Sequence, residues 1–414
     1  MKSDILPNTR SDNSHTVRRR RTSLLTVLSI LLVELFLVYP FYAFFDYYFG
    51  LPGGFVTLLT LISTIVVLLM FLTRIQVHVY GWLDGFVLLY YFCIIIFPVI
   101  SFKGIITPEV TSFYFRDTIV NLLLYLVFSR MLYSDIKLSF KYFTLILVPM
   151  LIAVIYVSSS LSQFIDRVGG GMVLVISDVV ATYFFVNIPK YENRRLLLFI
   201  VESAILLYMG SMGTFFSFII AILLIELANI KEGNILRKII TLSVTAITAI
   251  FIFLYVSGHM IEIRAANNFF TKNVNRLINL LVSPSADASF QGRNYFLELG
   301  LSVIAEKPLL GEYLYQNRLY ASRYGLLNAG YIHNILSVWA EFGILTFVSL
   351  LVCFCLITVR IITTRFIREK YLEVAYVSIF CIVNMLLFRT YSWHLLPLIL
   401  GLNVSMSNEI RNVA

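Results

Sequence analysis

Long apolar runs separated by short polar stretches dominate the hydrophobic pattern of this chain. Runs of about 17 to 25 mostly apolar residues predict membrane-spanning helices. The run 195–229 is nearly continuous and is interrupted only by GSMG at 210–213, so two helices or one bent helix fit it. With two helices there, the pattern predicts twelve spans, at 23–45, 53–73, 81–101, 117–133, 140–158, 172–189, 195–210, 212–229, 239–258, 335–359, 372–388 and 391–406.

The composition excludes an ordinary soluble protein. Apolar residues make up 59% of the 414 residues and charged residues only 13%, which is far from the balance of globular domains. All four cysteines fall in apolar runs, which is typical of small buried side chains rather than of a disulfide framework or a metal site. We therefore expect an all-α polytopic membrane protein that contacts membrane lipids.

The distribution of lysine and arginine predicts how the chain is oriented. If the basic N-terminal tail is cytosolic, every loop on its side of the membrane is basic. Most of the net charge of +9 then sets orientation, and no nucleic-acid partner is expected. Both termini are predicted to be cytosolic. The predicted organisation is a tail at 1–22, nine spans in 23–258, an outside loop at 259–334, and three spans with a cytosolic C-terminus in 335–414.

The outside loop 259–334 is long, and long loops in compact proteins are usually functional. It is rich in cations that the orientation does not require. Apolar residues at helical spacing predict two amphipathic helices, at 268–282 and 294–306. The first fits a helix on the bilayer surface or one packed on other loop elements. Arg293 precedes the second, where a guanidinium and a helix N-terminus fit an anion, and an ion pair with Glu298 is the simpler alternative.

Polar residues also occur where this loop meets the tenth predicted span, in NAGYIHNILSVWAEFG at 328–343. Asn334 is suited to cap the helix. His333, Ser337 and Glu341 follow at intervals of four, which places them on one helix face. A histidine in this position is most often an interfacial, hydrogen-bonded residue. Because a neutral imidazole accepts protons near pH 7, His333 is also a candidate general base.

Four short motifs follow one another in this region: Gly292-Arg293-Asn294-Tyr295, Glu306-Lys307-Pro308-Leu309-Leu310-Gly311, His333-Asn334 and Glu341-Phe342-Gly343-Ile344. In this order they resemble the bacterial O-antigen polymerase and O-antigen ligase superfamily, which includes the Wzy-type polymerases. The resemblance implies a GT-C-like architecture and a metal-independent glycosyltransferase without a cofactor, at the periplasmic face of the inner membrane. It implies undecaprenyl pyrophosphate-linked oligosaccharides as substrates and a polysaccharide chain-length regulator as a partner.

The resemblance also implies roles for single residues. It assigns Arg293 to the pyrophosphate and His333 to the acceptor hydroxyl, as a base or an orienting group. It extends to Arg167, which precedes three glycines at 169–171. These glycines suit backbone contact with a phosphate or, as the simpler alternative, a flexible joint.

The GSMG segment at 210–213 departs from the family pattern, because many members have a Ser-Arg pair near the middle spans. Arg116 is a candidate to compensate as a pyrophosphate ligand, and a pair with the neighbouring Asp117 is the simpler alternative. Arg389 and His394, beside the last outside turn, are further candidates.

Three functions fit these features. A polymerase passes the glycan to a second carrier-linked repeat unit, and the aromatic-rich segment 313–334 favours it because aromatic rings stack on sugars. A ligase that passes the glycan to the lipid A core is the first alternative. A flippase or transporter is the second, disfavoured because we find no internal repeat and because the charges cluster outside the spans, with Glu34 as the exception.

Overall fold

A computed structural model describes residues 81–103, 106–107, 110–111, 114–156, 170–188, 192–209, 211–229, 288–315, 332–390, 393 and 395–413, together with single helical positions between 27 and 69. The predicted span 239–258 and the predicted helix 268–282 lie outside these residues. Of the predicted spans 23–45 and 53–73, only those single positions are described.

The described part of the chain is helical and contains no strand, which confirms the all-α part of the predicted fold class. A π-helix occupies Phe115–Val120. The α-helices are α1 (Trp82–Ser101), α2 (Asn121–Arg130), α3 (Tyr133–Tyr156), α4 (Gly170–Val186), α5 (Glu192–Tyr208), α6 (Met212–Ala228), α7 (Ala288–Glu306), α8 (Leu336–Thr363), α9 (Arg365–Lys370), α10 (Leu372–Leu387) and α11 (Leu396–Val413).

Two of these helices, α1 and α8, are long and apolar enough to cross a membrane, with mean hydropathies of 2.3 and 2.6. Residues Asp117–Arg130 and Tyr133–Leu145 meet the same test together, but the chain bends by 110° between them. The described residues therefore contain two candidate spans, or three if this bent pair is one span. Other apolar helices there have fewer than 18 residues, so the predicted count of twelve is not established.

The run 195–229 forms two helices in the structure. The first, α5, ends at Tyr208, and α6 begins at Met212. Ser211 precedes α6 with φ −85° and ψ 77°, a non-helical conformation that ends the continuous backbone hydrogen bonding of the run. The two-helix interpretation of GSMG is therefore the one that the structure adopts.

Basic side chains pair with carboxylates at one set of helix ends. These ion pairs join the start of α1 to the end of α2, the start of α3 to the start of α10, and the start of α5 to the end of α6. All three cations belong to the loops predicted to be cytosolic. The pairs are Arg130 with Asp84 at 3.3 Å, Lys137 with Glu373, and Arg195 with Glu226 at 3.1 Å.

Hydrogen bonds place the ends of α8 and α11 beside these ion pairs. Arg360 near the end of α8 donates to Ser407 near the end of α11. The hydroxyl of Ser405 in turn donates to the carbonyl of Met131, between α2 and α3, at 2.5 Å. We call this set of helix ends the basic end. The starts of α6 and α8 and the end of α10 consequently lie at the opposite end, where the candidate site is found.

Aromatic packing brings α4, α6 and α10 together. The ring of Phe185 on α4 stacks on Phe218 of α6 at 4.6 Å and on Tyr376 of α10 at 5.3 Å between centroids. Helical residues that are four or seven apart share a face. Asp178 on α4 and Thr214 on α6 therefore lie on the faces that pack together. All five of these side chains are buried.

Candidate functional site

A small apolar cluster packs α7 against the segment that leads into α8. Its buried members are Val303, Ile304, Ile332 and Ala340, and Leu297 packs against them. Leu297 and Ile304 are seven residues apart, and Arg293 lies one turn before Leu297 on the same helix face. Burial of this face therefore directs Arg293 towards the residues that precede α8.

The second and fourth sequence motifs are joined through their backbones at the start of α8. Gly343 adopts φ 78° and ψ 175°, so the helical hydrogen bonding is interrupted there. The amide of Ile344 and the carbonyl of Ala340 would bond each other in a regular helix. Instead, Ile344 N–H donates to Pro308 O at 3.0 Å, and Glu312 N–H donates to Ala340 O at 2.9 Å. Both backbone groups are thus satisfied by the loop.

Side chains of the same motifs reinforce this junction. Trp339 Nε1–H donates to Pro308 O at 2.9 Å, and Lys307 pairs with Glu312. The buried carboxylate of Glu341 accepts a hydrogen bond from the amide of Leu314. Glu341 therefore holds the loop in place, although its spacing from His333 in the sequence suggested a shared functional face.

His333 lies immediately before α8, where its surroundings keep the imidazole neutral. Asn334 Oδ1 accepts a hydrogen bond from Leu336 N–H at 2.9 Å, and α8 begins at Leu336 with Ile335 at its N-cap position. Burial lowers the pKa of His333 from its usual 6.5 to about 4, and the positive charges of Arg293 and Arg389 act in the same direction. Arg293 and Arg389, which belong to separate elements, thus both favour the neutral imidazole.

The structure corrects the predicted position of Arg293 in its helix. The sequence pattern placed Arg293 just before a helix at 294–306, beside the free N–H groups of the first turn. In the structure α7 begins at Ala288, so Arg293 lies inside the helix and is half-buried. The free N–H groups of the first turn therefore do not lie beside Arg293, because backbone N–H groups inside a helix are already bonded.

Arg389 is held by a carboxylate from a distant part of the chain. Arg389 Nε–H donates to Asp178 Oδ2 at 2.7 Å, and Nη2–H donates to Asp178 Oδ1 at 2.8 Å. The same Nη2 donates to Thr214 Oγ1 at 2.7 Å. Arg389 is 7% exposed and Asp178 is fully buried. This bidentate geometry fixes the plane of the guanidinium.

Asp178 has further donors, so its buried charge is fully solvated by the protein. Oδ1 accepts hydrogen bonds from Thr214 Oγ1–H at 2.6 Å and from Asn384 Nδ2–H at 2.9 Å. Oδ2 accepts one from Trp393 Nε1–H at 2.9 Å. A buried carboxylate is tolerated when it is paired and hydrogen-bonded in this way.

The sequence reasoning missed Asp178, and its conclusion that charges lie outside the apolar helices, with Glu34 as the exception, is wrong. Asp178 lies in the apolar run VLVISDVVATYFF, and Glu202 is fully buried within α5. A single carboxylate inside such a run is itself a signal of a functional or strongly paired residue. Reading each span for isolated charges would have found both.

The other candidate residues are only partly described. Arg167 and His394 lie outside the described residues. Arg116 belongs to the π-helix, and its side chain is also outside them. The hydroxyl of Tyr313 donates to the neighbouring Asp117 at 3.5 Å. Among the residues that the structure describes, no group of three or more His, Cys, Asp or Glu could hold a metal ion.

No protein-family model matches this chain, and no curated protein shows significant similarity to it.

The arrangement combines two chemical properties. Arg293 supplies a positive charge suited to a phosphate-bearing ligand, whereas the charge of Arg389 is paired with Asp178. The neutral imidazole of His333 can accept a proton. A site of this kind suits a reaction in which a hydroxyl group loses a proton while an anionic group leaves.

Proposed function

We propose that this protein is an O-antigen polymerase, a metal-independent glycosyltransferase that joins lipid-linked repeat units. The observation that supports the proposal is the packing of α7, which carries Arg293, against the segment that holds the neutral imidazole of His333. Donor and acceptor are both undecaprenyl pyrophosphate-linked oligosaccharides. The order of the four motifs around these residues supports the same assignment.

The proposed reaction needs a base and a stabilised leaving group. The acceptor hydroxyl gives its proton to His333 while its oxygen bonds to the anomeric carbon of the donor sugar. The bond from that carbon to the phosphate oxygen breaks, and its electron pair leaves with the pyrophosphate. Arg293 binds this developing negative charge, and an interaction that strengthens in the transition state lowers the barrier.

The proposed architecture extends beyond the described helices. We infer twelve spans in a GT-C-like arrangement in the bacterial inner membrane, with both termini in the cytosol and the site at the periplasmic face. Membrane lipids surround the apolar helices, and a polysaccharide chain-length regulator is the expected protein partner. The pairing of the predicted cytosolic cations at one set of helix ends supports this orientation.

Chain extension in a purified preparation tests the function directly. The protein, reconstituted in liposomes, is given undecaprenyl pyrophosphate-linked repeat units, and the products are separated on a gel. The wild type should produce a ladder of longer lipid-linked chains, and His333→Ala should lose it almost completely while it still inserts normally. Arg365→Gln, at an exposed side chain of α9, is the matched control and should keep the ladder.

The surface glycan of a deletion strain separates the proposal from its alternatives. A single repeat unit on the lipid core indicates a missing polymerase. Carrier-linked polymer with a bare core indicates a missing ligase and would replace the proposed acceptor. A purified protein that never consumes the lipid-linked glycan, combined with lost export in the deletion strain, would indicate transport.

A further inference from the structure

We propose that Glu202 is a proton-binding site inside the helix bundle, where its side chain is held as an uncharged carboxylic acid. The ligand is a single proton, and the site is enclosed by the inward faces of α4, α5 and α6. This inference goes beyond the proposed function, because no step of the proposed reaction uses Glu202.

Glu202 lies on the face of α5 that packs inwards. Phe199 and Leu206, three residues before it and four after it, share this face. All three side chains are buried, and Glu202 is fully so. On the other side of the helix, Leu197 and Ile200 are exposed. The carboxyl group is therefore directed into the bundle and away from the outer surface.

Aromatic rings line this part of the bundle. The ring of Phe199, one turn from Glu202, lies 6.3 Å from Phe185 of α4 and 6.0 Å from Phe218 of α6 between centroids. It also lies 5.5 Å from Tyr376 of α10. An ionised carboxylate is strongly disfavoured in such surroundings, because an unpaired charge loses far more on leaving water than the neutral acid does.

Neither oxygen of the Glu202 carboxyl group has a hydrogen-bond partner among the described residues. Asp178 on the neighbouring helix α4 provides the contrast. It is equally buried, but Arg389 pairs with it and Trp393 donates to it. The charge of Asp178 is thus compensated by the protein, whereas the only compensation open to Glu202 is a proton.

The nearest cation on the same face of α5 is already engaged. Arg195 lies seven residues before Glu202, and its guanidinium is 3.1 Å from the carboxylate of Glu226 on α6. The hydroxyl of Tyr376 donates to the same carboxylate. Glu226 is therefore the acid that Arg195 serves, and Glu202 is left without a cation.

The other described titratable groups on the helices around α5 supply no second charge. All of them except the thiol of Cys381 are bonded to other side chains. These groups are Asp178 and Tyr183 on α4, Glu226 on α6, and Glu373, Tyr376 and Cys381 on α10.

A proton fits this position better than a metal ion. A hard cation such as calcium is held by about six or more oxygen ligands. Within the part of the chain that the structure describes, no group of three or more His, Cys, Asp or Glu could hold one. A single carboxylate in an apolar setting cannot provide such a shell, whereas one proton removes its charge completely.

Infrared spectroscopy of the purified full-length chain tests the proposal, because the C=O stretch of a protonated carboxyl group is separate from the carboxylate bands. In a detergent without ester groups at about pH 7, where exposed glutamate is ionised, the wild type should show this band. Glu202→Gln should lose it. Glu369→Gln, at an exposed acid of α9, is the matched control and should keep it. A band of equal intensity in Glu202→Gln would overturn the assignment.

Sodium chloride distinguishes a proton from a metal ion as the ligand. The band of the wild type should be the same in sodium chloride as in choline chloride of equal ionic strength. Its disappearance in sodium chloride would show that a metal ion displaces the proton, and the proposal would then be wrong.

Glu202→Leu keeps the test informative if the glutamine variant folds poorly. Leucine removes two buried oxygens that have no partner, so the midpoint of thermal unfolding should equal or exceed that of the wild type. Loss of one member of a buried ion pair would instead lower it, by about 3 °C or more. Such a decrease would reveal a charged partner of Glu202 and refute the neutral acid. Neither measurement uses lipid-linked glycan, so both outcomes leave the polymerase assignment untouched.

Discussion

His333 obtains its chemical character from its neighbours. A histidine at a membrane boundary is ordinarily a titrating, hydrogen-bonded group with a pKa near 6.5. Here, burial and two guanidinium groups lower the pKa to about 4, so the side chain is neutral but only weakly basic throughout the physiological range. Under the proposed function, a bound diphosphate would offset this positive charge and raise the basicity of His333 when a base is needed.

Acid should destabilise the wild-type protein through His333. The folded state binds a proton only below about pH 4, whereas the unfolded chain binds one below about pH 6.5. The stabilising contribution is therefore fully present above pH 6.5 and is lost as the pH falls towards 4. At pH 5 the loss is at most about 2 kcal/mol.

Thermal unfolding in detergent measures this effect. The midpoint of the wild type should fall between pH 7 and pH 5 by more than the midpoint of His333→Gln, which has no titrating group at this position. Equal decreases in the two proteins would show that His333 titrates normally in the folded state.

Arg293 should prove irreplaceable by lysine. Arg293→Ala should abolish use of the lipid-linked donor, and Arg293→Lys should restore it only in part, because an ammonium group cannot make the planar, two-point contact of a guanidinium. The removal of one positive charge in the alanine variant should also raise the pKa of His333. Donor consumption and polymer length on a gel measure the first effect, and full activity of the lysine variant would refute the assigned contact.

At the scale of elements, the junction between the 306–311 loop and α8 determines where His333 can lie. The start of α8 gives up a helical hydrogen bond at Gly343 and replaces it with bonds to Pro308 and Glu312. The loop and the helix thus form one rigid unit. The EKPLLG and AEFGI motifs are thus joined through their backbones, beside the candidate site residues His333 and Arg293.

Glycine should be required at this junction. At Gly343 a Cβ atom would lie 2.0 Å from Leu309 O with φ +78°, and at Gly311 it would lie 2.6 Å from Ala340 O with φ +64°. Either glycine-to-alanine variant should lose about 2 kcal/mol or more of stability, because backbone atoms cannot move aside cheaply.

Gly292→Ala is the matched control for both variants. Its Cβ would meet nothing within 4 Å, and alanine favours the helix by about 0.5 to 1 kcal/mol. The yield of folded protein on size-exclusion chromatography and the unfolding midpoint compare the three. Normal yield and midpoint for Gly343→Ala would show that the two segments are not joined as described.

At the scale of the whole molecule, three ion pairs and the candidate site lie at opposite ends of the helices. The basic end holds Arg130, Lys137 and Arg195 in ion pairs, and the opposite end holds the candidate site. Because lysine and arginine prefer the cytosolic side, the basic end is the proposed cytosolic end.

Labelling of single cysteines should locate the two ends on opposite sides of the membrane. In a chain without its native cysteines, Lys103→Cys after α1 should react with a membrane-impermeant maleimide in cells with a permeabilised outer membrane. Arg365→Cys in α9 should react only after the inner membrane is opened. Both positions are exposed in the structure. Labelling of residue 365 in intact inner membranes would reverse the orientation and remove the proposed periplasmic site.

The sequence by itself determined the helical fold and the start of α8 beside Asn334, because hydropathy and capping act within one stretch of chain. It also singled out Arg293 and His333 through a resemblance. Only the tertiary structure decided that Asp178 holds Arg389, 211 residues away in the sequence. A contact of that kind depends on how α4, α6 and α10 pack, and no local pattern of apolar and polar residues specifies the distance between two faces on separate helices.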